Sequence, residues 1–342
     1  MLAFRSTSET VVSDVPVISA KTSVGLILGA GGISEQAYHA GSLLALRDHL
    51  GWDARSAASI AGTSAGSLTG TLLRLGVDPS DLVSLAAHKS LSEHGAALAE
   101  RIWPDSSELP VPERRAFLRT WRTPRLSLLM KIAYHPGSFR LGVAAATVLP
   151  AGSLDLTSRA APLQALLGDR WPDDLLICAT RRSDGERVVF GSRDGPPSTL
   201  AAAVLASCAI PFYFAPVAVD GVEYLDSGVH SPTNADVVAD HTHLDLVVVI
   251  APMSTAKPAR RSADMFVRRS VCRRLSREVE QLEAAGLTVI RIEPGDRALD
   301  AMGLNPMDPG RSRRVAEAAY GEMAGRLTND TALEQYEHRS AR

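Results

Sequence analysis

Apolar and polar positions alternate along this chain in two rhythms. Short aliphatic runs, SVGLIL leading into GAGG and AASIAG ending at Gly62, are each followed by apolar residues three or four apart. The first such stretch runs from about Ser34 to Leu50, the second from beyond Ser64 to a stop signal at Gly76. A short apolar run bounded by glycine predicts a buried strand, and the wider spacing predicts a helix packed on it. DDLLICAT, ERVVFG, GVEYLDSG, LDLVVVIAP and LTVIRIEP predict further strands, interleaved with helical patterns at 199–208, 263–285 and 311–327. Strands alternating with helices predict an α/β fold whose sheet is largely parallel or mixed and covered on both faces.

The rhythm breaks between about Pro104 and Gly152. There RRAFLRTWRTPRLSLLMKIAYHPGSFR, residues 114–140, interleaves seven Arg or Lys with Phe117, Trp121, Leu126 and Tyr134 and contains no acid. Such a stretch fits a cap, a face laid on an anionic lipid surface, or a solvated helical surface packed on the domain. The basic run at 260–277 reads as an amphipathic outer helix. Residues 1–22 read as a loose leader and 331–342 as a polar tail, around a single domain at 23–330 that carries the 104–152 segment as a helical cap or insertion.

Charge and cysteine content narrow the function classes. A formal net charge of -2 lacks the field with which nucleic-acid binders gather phosphate, so no nucleic-acid partner is expected. Cys178, Cys208 and Cys272 are odd in number and widely spaced, which argues against a disulfide framework or a zinc knot and suits a reducing cytoplasm. The N-terminus has no continuous apolar stretch of the signal-peptide kind, and runs such as LDLVVVIAPM are too short for the roughly 20 residues of a bilayer crossing.

Chemistry concentrates at two turns and one strand end. Gly62-Thr63-Ser64-Ala65-Gly66 matches G-x-S-x-G with a strand leading in and a helix leading out, the context in which a serine is presented as a nucleophile. The plain alternative is a small-residue turn that contains a serine. Ser67 competes only by proximity. Gly29-Ala30-Gly31-Gly32 can aim backbone N–H groups at phosphate or at a developing oxyanion, or can be a structural turn. The G-x-G-x-x-G spacing is incomplete, no GK[ST] follows, and Asp48 and Asp53 are poorly placed for a ribose, so a dinucleotide site fits badly. Paired with Ser64, the turn reads better as an oxyanion hole, with donors from Gly31 or Gly32 and from Ala65.

No histidine stands out as the base. His338 lies in the tail, His241 and His243 precede a strand, and His39 falls within a helical pattern. Asp226 ends GVEYLD just before Ser227-Gly228, where its carboxylate would emerge from a strand into a tight turn. It could accept the Ser64 proton in a partly desolvated site, or simply cap the turn.

Three blocks together resemble the patatin-like phospholipase family: GLILGAGGISEQAYHAGSLLAL at 25–46, IAGTSAGSL at 60–68 and ASCAIPFYFAPVAVDGVEYLDSGVHSPTNADVV at 206–238. The resemblance spans roughly 23–250 and implies a patatin-like three-layer α/β/α architecture around a mixed, largely parallel sheet. It implies a Ser–Asp dyad working without histidine, with Ser64 as nucleophile, Asp226 as base and Gly31 and Gly32 as oxyanion glycines. The implied chemistry is acyl transfer to water from phospholipids, lysophospholipids, acylglycerols or simpler esters, with no metal or organic cofactor. A lipid or small-ester substrate is the expected partner, with peripheral attachment to an anionic membrane as a further expectation. Two departures stand out. The glycine block continues as Ile33-Ser34-Glu35-Gln36 where the family has Arg or Lys followed by Gly, and Asp-Gly-Gly or Asp-Gly-Ala becomes Asp226-Ser227-Gly228. These leave open an inactive lipid-binding or scaffolding member of the same fold.

Overall fold

The computed structural model describes residue 18 and residues 21–102, 113–114, 152–168, 170–255 and 264–329. Most of the leader, nearly all of the 104–152 segment with its basic stretch, and the 331–342 tail lie outside the described residues.

The strands, in chain order, are β1 (Val24–Leu28), β2 (Ser59–Thr63), β3 (Glu113–Arg114), β4 (Leu154–Asp155), β5 (Leu175–Arg181), β6 (Arg187–Phe190), β7 (Val217–Val219), β8 (Val222–Asp226), β9 (Leu246–Ile250) and β10 (Thr288–Ile292). The helices are α1 (Ile33–Leu50), α2 (Ala65–Arg74), α3 (Pro79–Ala86), α4 (Glu93–Ile102), α5 (Ala160–Leu167), α6 (Leu200–Ser207), α7 (Met265–Ala284), α8 (Asp296–Met302) and α9 (Ser312–Asn329). The main sheet runs β10-β9-β1-β2-β5-β8-β7, with β6 folded back on β5. The pairs from β10 to β5 are parallel, whereas β8, β7 and β6 join antiparallel.

Alternation along the strands builds the layers. Leu26 and Leu28 of β1, Ile60 of β2 and Ile177 of β5 join one buried cluster with residues of α1, α6, α8 and α9. Ile27, Ala61, Leu176, Val247 and Val249 point the other way, into a cluster with Leu275, Val279 and Leu282 of α7. Successive strand side chains take opposite faces, and near-continuous apolar runs such as LVVVI are what a sheet covered on both sides requires. The result is a three-layer α/β/α fold. Helix α7 follows the spacing expected of an outer amphipathic helix: Met265, Arg268, Val271, Leu275, Glu278, Val279 and Leu282 are its buried positions.

Register decides what meets at the C-terminal edge of the parallel strands. Leu28 pairs with Gly62, so the turns after β1 and β2 emerge side by side. Thr63 lies opposite Cys178 and Asp226 opposite Ala179, so Ser64 and Asp226 flank β5 at the same height. Helix α2 closes down on this edge. A Cβ at Gly66 would stand 2.0 Å from the Leu28 carbonyl oxygen, and one at Gly62 would stand 2.5 Å from the Gly66 carbonyl oxygen. No helix among the described residues is long and apolar enough to cross a membrane, and all three cysteines are free.

Gly66→Ala is therefore expected to force α2 off β1. The overpacking should cost about 3 kcal/mol or more and lower the melting temperature accordingly. An unchanged thermal melt would show that the edge is looser than these distances.

Candidate active site

Ser64 follows the last residue of β2 and stands at the start of α2 with φ 54° and ψ −121°. A non-glycine residue at positive φ carries strain that its surroundings must hold. Here the hold is a relay across the sheet: the Ser64 N–H donates to Ser207 Oγ at 2.8 Å, and Ser207 Oγ donates to the Cys178 carbonyl at 2.7 Å. The Ser64 carbonyl accepts from the N–H of Ser67 at 2.9 Å and from Ser67 Oγ at 2.7 Å, which fixes Ser67 inside the first turn of α2. Ser64 is 3% exposed, and its Oγ donates to the Gly31 carbonyl at 3.2 Å.

The glycine turn is pinned at several points. The Gly29 N–H reaches the Ile250 carbonyl at 2.9 Å and the Ala30 N–H reaches that of Pro232 at 2.6 Å. The Gly32 N–H donates to Glu35 Oε2 at 2.8 Å, and the Ser34 N–H donates to the Pro306 carbonyl at 3.1 Å. Glu35 is buried, and desolvation pushes its carboxyl pKa up against the N–H groups it accepts and the nearby charge of Arg268. Ala65 opens α2, so its N–H faces outward from a helix start where no intrahelical partner exists.

Asp226 closes β8, and its N–H donates to the Ala209 carbonyl at 3.0 Å. Its carboxyl accepts from the Gly228 N–H at 2.7 Å, the capping role that the strand-end position allows. The Ser64 hydroxyl, which donates to the Gly31 carbonyl, lies near enough to influence the Asp226 titration. Burial raises the Asp226 pKa to about 6, against the opposing pull of the hydrogen bonds from Ser64 and Gly228. Ser227 is buried and is not among the positive-φ residues, so this turn does not require glycine there. Gly228 packs on the glycine turn, with Ala30 Cβ 3.4 Å from where its own Cβ would stand.

Three further residues support the site. Ser207 holds the elbow. Asn234, left-handed at φ 48°, reaches Thr63 Oγ1 at 3.0 Å and Ser227 Oγ at 3.3 Å and so ties β2 to the Asp226 turn. Glu278 of α7 supports that loop through Thr233 Oγ1 at 2.5 Å and the Ala235 N–H at 3.0 Å. Ser207 could have been found from the block at 206–238, where it opens Ser207-Cys208-Ala209-Ile210-Pro211; for the other two only the fold supplies the signal.

The structure places His39, His241 and His243 elsewhere. His39 is fully buried, its pKa lowered to about 3 by desolvation, and its Nδ1 lies 3.5 Å from Thr69 Oγ1 between α1 and α2. His241 stacks on His243 and lines a separate cavity of about 410 Å³ with Arg187 and Asp236. His338 is outside the described residues. Cys208 lies within 4.0 Å of Ser67 Oγ, but desolvation raises its thiol to about 12, so it stays protonated. Asp48 receives Arg47 and Tyr320, and Asp53 caps a short turn, as structural carboxylates do. Among the described residues no group of three His, Cys, Asp or Glu is arranged to hold a metal ion.

A family model described as patatin-like phospholipase matches residues 26–239. Among solved structures the chain is similar to VipD from Legionella pneumophila, at 16% identity and a TM-score of 0.44, covering 93% of this chain and 68% of that one. It is similar also to the ExoU-SpcU complex of the Pseudomonas aeruginosa type III secretion system, at 17% identity and a TM-score of 0.32, covering 92% of this chain and 53% of that one. The chain thus spans about half the length of the second. No curated protein matches it.

An ionised carboxylate buried at Asp226 costs stability. Its pKa is 3.8 ordinarily and about 6 in the fold, so the folded state binds the proton more tightly. Stability is therefore full below about pH 4 and declines as pH rises through about 6, by up to about 3 kcal/mol. Asp226→Asn keeps an acceptor for the Gly228 N–H and should melt above wild type at pH 8, by a margin that narrows at pH 5. A margin equal at both pH values would assign the effect to something other than this carboxyl.

Proposed function

We propose that this chain, which belongs to the patatin-like phospholipase family, is a serine acyl hydrolase acting on carboxylic esters of phospholipids, lysophospholipids or related lipids through a Ser64–Asp226 dyad. Family membership carries the general chemistry, hydrolytic cleavage of lipids. For the residue roles one observation matters most: a strained, buried serine stands at the same height across β5 as a buried carboxyl whose pKa is raised to about 6. A carboxylate of ordinary pKa is a weak base; one raised toward neutrality accepts a proton far more readily.

In the proposed cycle, rotation of the Ser64 side chain turns Oγ from the Gly31 carbonyl to Asp226. Oγ attacks the ester carbonyl carbon, and its proton passes to the Asp226 carboxylate. Backbone N–H groups of Gly31 and Ala65, joined by Gly32 once it is released from Glu35, hold the oxyanion, each donor worth about 3–4 kcal/mol. Collapse expels the alcohol, which takes the proton from Asp226, and leaves an acyl-Ser64 ester. Asp226 then draws a proton from water, the hydroxide equivalent attacks the acyl carbon, and Ser64 leaves with the returned proton.

Residues 23–330 form the catalytic domain in this reading, with 104–152 as its cap or insertion, working in the cytoplasm with peripheral attachment to lipid. Phe212, at φ 68°, and Tyr213 are 55% and 47% exposed in the loop that follows Cys208 and Ala209, and the Ala209 carbonyl holds the Asp226 N–H. Their position suits contact with aggregated lipid beside the site. Replacing both with serine should slow hydrolysis of vesicle-borne phospholipid several-fold while leaving a soluble short-chain ester nearly unaffected. Equal losses on the two substrates would remove the interfacial role.

The competing reading is a lipid-binding member that does not turn over, and the commitment of the Gly32 N–H to Glu35 favours it. Intact-mass analysis after exposure to a fluorophosphonate separates the two. The hydrolase reading expects one adduct, absent in Ser64→Ala and strongly reduced in Asp226→Ala, and ester hydrolysis rising with pH through an apparent pKa of about 6. A folded wild type that retains lipid and takes no adduct would overturn it in favour of the binding protein.

A further inference from the structure

The carbonyl of Gly31 and the N–H of Gly32 are the two ends of one peptide unit. In a trans peptide these groups point in opposite directions, and the described residues contain no cis peptide. The Gly31 carbonyl accepts from Ser64 Oγ at 3.2 Å, so the Gly32 N–H is directed away from the serine, where Glu35 Oε2 takes it at 2.8 Å. This peptide therefore presents an acceptor to Ser64. A tetrahedral oxyanion formed there would face a carbonyl oxygen instead of a donor.

Turning the peptide over exchanges the two ends. Rotation about the ψ of Gly31 and the φ of Gly32 is open to a Gly-Gly pair as to no other, because neither residue has a Cβ to restrict it. The obstacle is Glu35. Once turned, the Gly31 carbonyl would point at the Glu35 carboxylate, and two acceptors cannot share a hydrogen bond. Glu35 is itself held firmly: it is 4% exposed, and its Cβ lies 2.1 Å from where a Cβ on Gly31 would be. Arg268, whose charge acts on Glu35, is anchored by the Pro252 carbonyl at 2.9 Å and by Asp264 at 2.8 Å.

We propose that Glu35 is a positioning residue that latches the Gly31–Gly32 peptide with its carbonyl toward Ser64, so that a complete oxyanion site forms only when this peptide turns over. The proposal rests on the serine hydrolase reading above. It gives the altered glycine block, Ile33-Ser34-Glu35-Gln36, a function of its own: a restraint on the site.

Glu35→Gln tests it, because a carboxamide can accept from the Gly32 N–H in one orientation or donate to the Gly31 carbonyl in the other. Fluorophosphonate labelling and kcat on a soluble ester should rise by about tenfold, within the roughly hundredfold that one oxyanion donor supplies, with KM little changed. A glutamate that only caps α1 predicts no gain, so a wild type that forms the adduct and a folded Glu35→Gln protein that labels no faster overturn the latch. Hydrogen exchange gives a readout independent of turnover. The amides of residues 29–36 should exchange faster in both Glu35→Gln and Glu35→Ala, and wild-type protection in both would also overturn the proposal. Failure of the hydrolase reading has a different signature: an adduct that survives in the double variant Ser64→Ala/Glu35→Gln, or no adduct in any variant although exchange at 29–36 is accelerated.

Discussion

The near-contact of α2 with the end of β1 is the constraint on which the rest of the site depends. The position a Cβ would take at Gly66 is 2.0 Å from the Leu28 carbonyl oxygen, so only glycine allows the helix to begin where it does. Because the helix begins there, the chain has one residue in which to turn from β2 into α2, and that residue, Ser64, takes a strained positive-φ conformation. The sharp turn lifts Oγ clear of its own backbone and brings it over the neighbouring glycine turn. The strain is balanced by hydrogen bonds at both ends of the residue, from its N–H to Ser207 and to its carbonyl from Ser67. A looser helix start would relax Ser64 and lose the height that it shares with Asp226 across β5.

Much of the fold can be read in the sequence because it is written in local periodicity. The core strands β1, β2, β5, β9 and β10 are apolar runs that stop at glycine, proline or charge, and α7 and α9 follow the spacing of their buried faces, whereas α1, α2 and α6 are buried at most positions and are marked by small residues instead. The elements that escape such a reading are short. Strand β7 has three residues and α8 has seven, too few for a period to declare itself. Helix α3 did carry a local signal, Asp78 capping the Ser80 N–H ahead of Pro79, but eight residues of modest amphipathicity do not stand out beside an 18-residue helix.

The site divides along the same line. Ser64, the glycine turn and Asp226 sit at places where a strand gives way to a turn, and such places are visible from composition. The partners that hold them are not, because their bonds cross long stretches of chain. Ser207 lies 143 residues from the serine it steadies, and Asn234 lies 171 residues from Thr63. No pattern along the chain encodes a hydrogen bond of that span; it exists only once the sheet order has been set. Glu35 is intermediate. The sequence marks it as a departure in the glycine block, yet whether it disables or regulates depends on the direction of one peptide, which side-chain identity does not specify.

In the proposed dyad no histidine takes part, and the physical counterpart of that reading is the burial of Asp226. In a three-member relay the imidazole supplies a pKa near neutrality and the carboxylate can remain solvated or ion-paired. With a carboxylate alone, the protein itself must raise the basicity, and desolvation is the means at hand. The environment of Asp226 follows that requirement. The Gly228 N–H donates to it at 2.7 Å, burial is the largest influence on its pKa, and hydrogen bonding, not a nearby cation, is what opposes that rise. The buried guanidinium of Arg268 acts on Glu35. Burial raises both carboxyls, and Arg268 only moderates the rise at Glu35, so what separates their proposed roles is the partner each faces: a backbone N–H at Glu35 and the serine at Asp226.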